Sequence, residues 1–171
     1  AGSTVSLGGA VGASNVLSQV NVTGATIALN GGTVNTSGNQ TYAGAVTLGA
    51  ATTLTASNVT TTTGSTVAGA SNSLNVTGNA NLGGDVSGVS SLGVSGTTTL
   101  AGNVSSTGNQ TYAGAMTLAS NAKLAATGNA AVITTNGTIN SDGTVGSEQS
   151  TYGVGAMLLG TLVTAAIALT I

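Results

Sequence analysis

The sequence has 171 residues, of which 2% are charged, against roughly 25% in an ordinary soluble domain, and its formal net charge is −2. It contains no Arg, His, Cys, Pro, Trp or Phe, and its four charged side chains are Asp85, Lys123, Asp142 and Glu148. One lysine is no footprint for nucleic acid, the missing His and Cys remove the usual general bases and zinc ligands, and scattered acids form no calcium cage. Nucleic-acid binding, catalysis, metals and cofactors are therefore all excluded as expectations.

Richness in Gly, Ser, Thr and Asn raises disorder as the first alternative, but disorder goes with low hydropathy and high net charge. Here the mean hydropathy is +0.41. In chain order, short runs rich in Thr and Val read as strands: "TIALN", "AVTL", "TTLTASNVTTTT", "GTTTLAG" and "AAVITT". Pairs such as Thr23-Gly24, Ser37-Gly38, Thr63-Gly64, Thr77-Gly78, Ser95-Gly96, Thr107-Gly108, Thr127-Gly128, Asn136-Gly137 and Asp142-Gly143 are expected to be turns between them.

The stretch "GNQTYAGAVTL" at Gly38–Leu48 returns as "GNQTYAGAMTL" at Gly108–Leu118. Tyr42, Gly44, Val46 and Leu48 share one parity and Thr41, Ala43, Ala45 and Thr47 the other, which predicts a strand with an inward apolar face. The second copy keeps that face as Tyr112, Gly114, Met116 and Leu118, and its one change, Val46 to Met116, exchanges apolar residues. The match widens to Gly32–Leu54 against Gly102–Leu124, displaced by seventy residues, with Lys123 on the outer parity opposite Thr53. A seventy-residue period holds three or four coils of roughly twenty residues, the rung size of β-solenoids. The fold expected over residues 1–145 is thus an all-β parallel solenoid, with Tyr42 and Tyr112 as repeated core features stacked along one face. A β-sandwich pilin completed by a neighbour's strand is the alternative.

The repeat words, "GNQTYAGAVTL" followed by "GAATTLTASNVTTTTG", resemble the repeat regions of filamentous haemagglutinin-like exoproteins and autotransporter passengers of Gram-negative bacteria. The resemblance spans about residues 20–145. It implies a right-handed parallel β-helix, secretion, and a role as an adhesin or surface fibre; it carries no catalytic residue.

Residues 146–171 are expected to be a polar linker and a hydrophobic tail. The stretch Gly153–Ile171 has no charge, and as a helix it would run about 28 Å, enough for membrane contact. In that form Ala156, Gly160, Thr164 and Ala168 make a ridge of small residues, with Leu162, Val163 and Ile167 around it, suited to docking on another copy. As a strand it would place Val163, Ala165, Ile167, Leu169 and Ile171 on one face, suited to donation to a neighbour's sheet; the helix is the favoured form.

With no charged cap in view, a Gly-rich stack is free to continue into the next molecule. The expected function is a non-catalytic subunit of a homopolymeric extracellular filament. The alternative is a monomeric adhesin held at the cell surface by its tail and binding a host or abiotic surface. The start at Ala1 and the Ser, Thr, Asn and Gly richness favour a processed secretory chain. Asn-X-Ser/Thr triplets at Asn21, Asn35, Asn39, Asn58, Asn75, Asn103, Asn109 and Asn136 make glycosylation a minor expectation. Ice binding by threonine arrays such as Thr60 to Thr63 would need regular Thr-X-Thr ranks on consecutive coils, which the sequence does not display.

Overall fold

The computed structural model describes residues 2–119 and 122–141. The chain winds as a parallel β-solenoid of about seven turns, built from strands alone among the described residues. Each coil passes through three strand-stacked faces in the order C, A, B.

Face A stacks β1 (Thr4–Leu7), the second halves of β2 (Val20–Leu29) and β4 (Gln40–Leu48), β6 (Val67–Ala68), β8 (Val86–Val89), β11 (Val104–Ser106) and β14 (Leu124–Ala126). Face B stacks β3 (Thr33–Asn35), the first halves of β5 (Thr52–Thr61) and β7 (Leu74–Leu82), β9 (Leu92–Val94), β12 (Gln110–Tyr112) and β15 (Ile133–Thr135). Face C stacks the other halves of β2, β4, β5 and β7, then β10 (Thr98–Leu100), β13 (Met116–Leu118) and β16 (Ile139–Ser141). Every one of these pairings is parallel, and partners lie one coil apart, from 17 residues (Val89 and Ser106) to 23 (Met116 and Ile139). A sandwich of antiparallel sheets is therefore not the fold.

The core is a set of columns running through the coils. On face A it reads Val5, Ile27, Val46, Val67, Val86, Val104 and Leu124, mostly β-branched residues whose stiff side chains suit a pleated, stacked surface. Burying one such side chain contributes roughly 1.5–3 kcal/mol. The predicted parity holds: Tyr42, Val46 and Leu48 are buried, while Thr41 and Thr47 are half-exposed.

Gly44 departs from that reading. It is half-buried at the bend where β4 leaves face C for face A, and opposite it β2 carries one extra residue, between Thr23 and Thr26. Its φ is +149°, and a Cβ there would collide with the carbonyl of Gly24 in the preceding coil. Its counterpart Gly114 sits at another corner, where a Cβ would come within 2.5 Å of the Gly96 carbonyl oxygen. Both copies need glycine because coils touch backbone to backbone at corners. For the same reason Thr23-Gly24 and Thr77-Gly78, expected to be turns, are bends inside the continuous strands β2 and β7.

The duplicated words do not stack on one face. Gln40 and Tyr42 lie on face C and Val46 and Leu48 on face A, whereas Gln110 and Tyr112 lie on face B and Met116 and Leu118 on face C. Val34 is on face B and Val104 on face A; Leu54 and Leu124 repeat that shift. Seventy residues therefore span eleven faces, one short of four whole coils. The reason is a six-residue rhythm: Leu74, Ala80, Val86, Leu92, Thr98, Val104, Gln110 and Met116 each open a strand or half-strand and point inward. From Leu74 onward one hexad makes one face, while the steps Thr52 to Val59, Val59 to Val67 and Val67 to Leu74 are longer, and these supply the four residues by which seventy exceeds eleven hexads.

The predicted tail, with Ala156, Gly160, Leu162, Val163, Thr164, Ile167 and Ala168, and the acids Asp142 and Glu148, lie outside the described residues. Among the described residues no helix is long and apolar enough to cross a membrane.

Candidate functional site

Three features carry chemistry: a buried polar network that occurs twice, an array of polar side chains on face C, and the two end coils.

Gln40 and Gln110 are fully buried, although neither was expected in the core. Gln40 Nε2 donates to the carbonyls of Val34 (3.0 Å) and Thr55 (2.9 Å) and to Thr36 Oγ1 (3.3 Å), and its Oε1 accepts from the Tyr42 hydroxyl at 2.9 Å. Gln110 repeats this with Ala125 O (2.8 Å), Ser106 Oγ (3.0 Å) and the Tyr112 hydroxyl (3.0 Å). Thr36 and Ser106 in turn donate to the carbonyls of Gly38 and Gly108. The same closed circuit is thus built on face C in one copy and on face B in the other, so that the buried amides and phenols are satisfied. The clue in the sequence was parity, since Gln40 stands two residues before Tyr42.

Tyr42 fits between Val22 and Thr61, and Tyr112 between Val94 and Thr135, so the large rings alternate with small neighbours along their columns. Burial raises both phenol pKa values well above the ordinary 10.0. An acid whose folded pKa is raised keeps its proton where the unfolded chain has lost it. Stability is then intact below about pH 10 and falls as pH rises beyond it. A denaturant midpoint that drops above about pH 10, and drops less in Tyr42→Phe, is the expected result.

Among the described residues Thr98 is the exception to buried side-chain polar satisfaction. It is 1% exposed, stacked between Ala80 and Met116, and its Oγ1 has no hydrogen-bond partner. Thr98→Val keeps the shape and removes the orphan hydroxyl, so it should stabilise the fold by about 1 kcal/mol, read as a higher urea midpoint.

On face C, Asn58 Nδ2 donates to Asn39 Oδ1 (3.0 Å), Asn79 Nδ2 to Asn58 Oδ1 (3.1 Å), and the Thr97 amide to Asn79 Oδ1 (2.9 Å). This ladder runs along the corner between faces B and C. Continued through Ala115 and Thr138, it forms one row of six. Two residues further along each strand lies a second row, Thr41, Thr60, Asn81, Thr99, Thr117 and Asn140. Outward Thr and Asn are therefore ranked on consecutive coils, although the Thr-X-Thr pattern itself occurs on this face at one coil, Thr97 and Thr99. The ranks also explain triplets such as Asn39-Gln40-Thr41 and Asn58-Val59-Thr60: outward Asn, inward residue, outward Thr.

Side chains also cap backbone amides at other corners. Asp85 Oδ1 accepts from the Asn103 amide (2.7 Å), Asn103 Oδ1 from the Lys123 amide (3.0 Å), and Asn109 Oδ1 from the Val132 amide (3.0 Å). Asp85 thus serves as a corner cap, and among the described residues no three His, Cys, Asp or Glu side chains gather as a metal site would require.

At the ends the columns open. β1 pairs only with β2, β14 only with β11, β15 only with β12 and β16 only with β13 among the described residues. The exposed large apolar side chains, Val16 (55%), Leu17 (40%), Val132 (52%) and Ile139 (53%), all belong to the first and last coils. Compared with known proteins, the chain matches no family model, no curated protein and no solved structure; its architecture is a parallel β-solenoid, compatible with a β-helix repeat.

Proposed function

We propose that the chain is a non-catalytic structural subunit that stacks end to end with copies of itself into an extracellular filament. The observation that carries this reading is the condition of the end coils. Their outer strand edges are unpaired among the described residues, and inward positions that are buried in the middle of the stack are only half-buried there, as at Val5, Leu124 and Ile133. An open edge is a template for a further strand, and apolar columns left half-exposed gain by burial. Because one end is the continuation of the other, head-to-tail stacking makes an open filament. The resemblance to filamentous haemagglutinin-like repeats agrees with a secreted, surface-exposed fibre.

The purified full chain should sediment as polymer and appear in negative stain as filaments one solenoid wide. A monomer at every concentration would defeat the proposal and favour the monomeric adhesin. In the same proposal the hydrophobic tail docks between subunits, so deletion of residues 153–171 should leave soluble, folded protein that no longer polymerises. Normal filaments without the tail would remove it from the interface.

A further inference from the structure

The two rows on face C hold twelve positions, and eleven of them are Thr or Asn, with Ala115 the exception. By strand geometry the array repeats at about 4.8 Å from coil to coil and about 6.6 Å between rows. It carries no charge, so it offers nothing to a mineral surface or an ionic ligand. It carries no aromatic ring to stack on sugars: Tyr42 and Tyr112 are buried at 1% and 0%, and the chain has no Trp or Phe.

The asparagine ladder of the array is fixed, and the threonine hydroxyls beside it are available. The amides of Asn39, Asn58 and Asn79 are locked to one another, and β-branched threonine on a strand has few rotamers. The hydroxyls of Thr41, Thr60, Thr99 and Thr117 make no hydrogen bond within the described structure and face outward. Outward hydroxyls repeated from coil to coil in an uncharged array offer first-shell water hydrogen-bonding partners at regular intervals. Its natural partner is itself a periodic lattice of hydrogen-bonding groups. Weak single contacts then sum over six coils, as in any multivalent attachment.

We propose that face C binds crystalline water, through the rows headed by Asn39 and Thr41. The rows run along the flank of the solenoid rather than across its end faces, so this proposal stands apart from the filament reading.

The test is thermal hysteresis and crystal shape for the full chain in a nanolitre osmometer. The expected result is a gap between melting and freezing points with faceted crystals, lost in the double variant T60K/T99K and kept in S87K/S105K, which adds the same charge to face A. Should the lysine variant lose its β-sheet circular dichroism, T60A/T99A carries the same comparison, with a reduced gap expected. A natively folded chain that neither opens a gap nor shapes crystals overturns the proposal, as does a gap unchanged in the face C variants or lost equally in the face A control. Retention on crystalline cellulose without any effect on ice would assign the array to a polysaccharide and overturn it too.

Discussion

Val46→Asp is expected to cost several kcal/mol of stability, enough to unfold much of a solenoid whose total stability is of the order of 5–15 kcal/mol. Val46 is 3% exposed, stacked between Ile27 above and Val67 below, with its amide donating to Thr66 O at 2.8 Å. An aspartate there has no basic neighbour in a chain with one lysine, so it must either take up a proton or expel itself to water and break the column. Thr47→Asp, one residue on and half-exposed, keeps its charge in solvent and should cost less than about 1 kcal/mol. Urea denaturation followed by circular dichroism separates the two, and equal losses would refute the inward and outward assignment of β4.

Gln110→Leu should lose about 2–4 kcal/mol despite conserving volume and adding apolar surface. The leucine leaves the Tyr112 hydroxyl, in the dry interior, without its acceptor at 3.0 Å, and the part-buried Ala125 carbonyl without its donor at 2.8 Å. Each stranded group costs roughly 1–3 kcal/mol, more than a satisfied hydrogen bond contributes. Adding Tyr112→Phe removes one stranded group, so the double variant should be more stable than Gln110→Leu alone. Such a sign reversal in a double-mutant cycle marks true coupling. Additive losses would mean that the amide and the phenol act separately. The Gln40 and Tyr42 pair should repeat the pattern, because its circuit is the same although it stands on another face.

Much of the fold was legible in the sequence because a solenoid is built from local rules. The alternation at Tyr42, Val46 and Leu48 comes from strand geometry, and the runs "TTLTASNVTTTT" and "AAVITT" meet β5 and β15. Gln40 and Gln110 were passed over because composition places Gln at the surface, and only their partners, fifteen residues ahead in the next coil, make their burial affordable in free energy.

The sequence by itself determined that this chain carries only four charged side chains, is internally duplicated and is folded from short strands with one apolar parity, since those properties are read from residue type and order alone. The tertiary structure alone decided where the copies sit. Paired residues in neighbouring coils lie from 17 to 23 residues apart, so the register between coils cannot be counted from a fixed period. That register is set by core columns and backbone contact at corners such as Gly44, and it places the two copies on different faces. It also brings Asn39, Asn58 and Asn79, separated by 19 and 21 residues, into one ladder and gathers the scattered threonines of face C into straight rows.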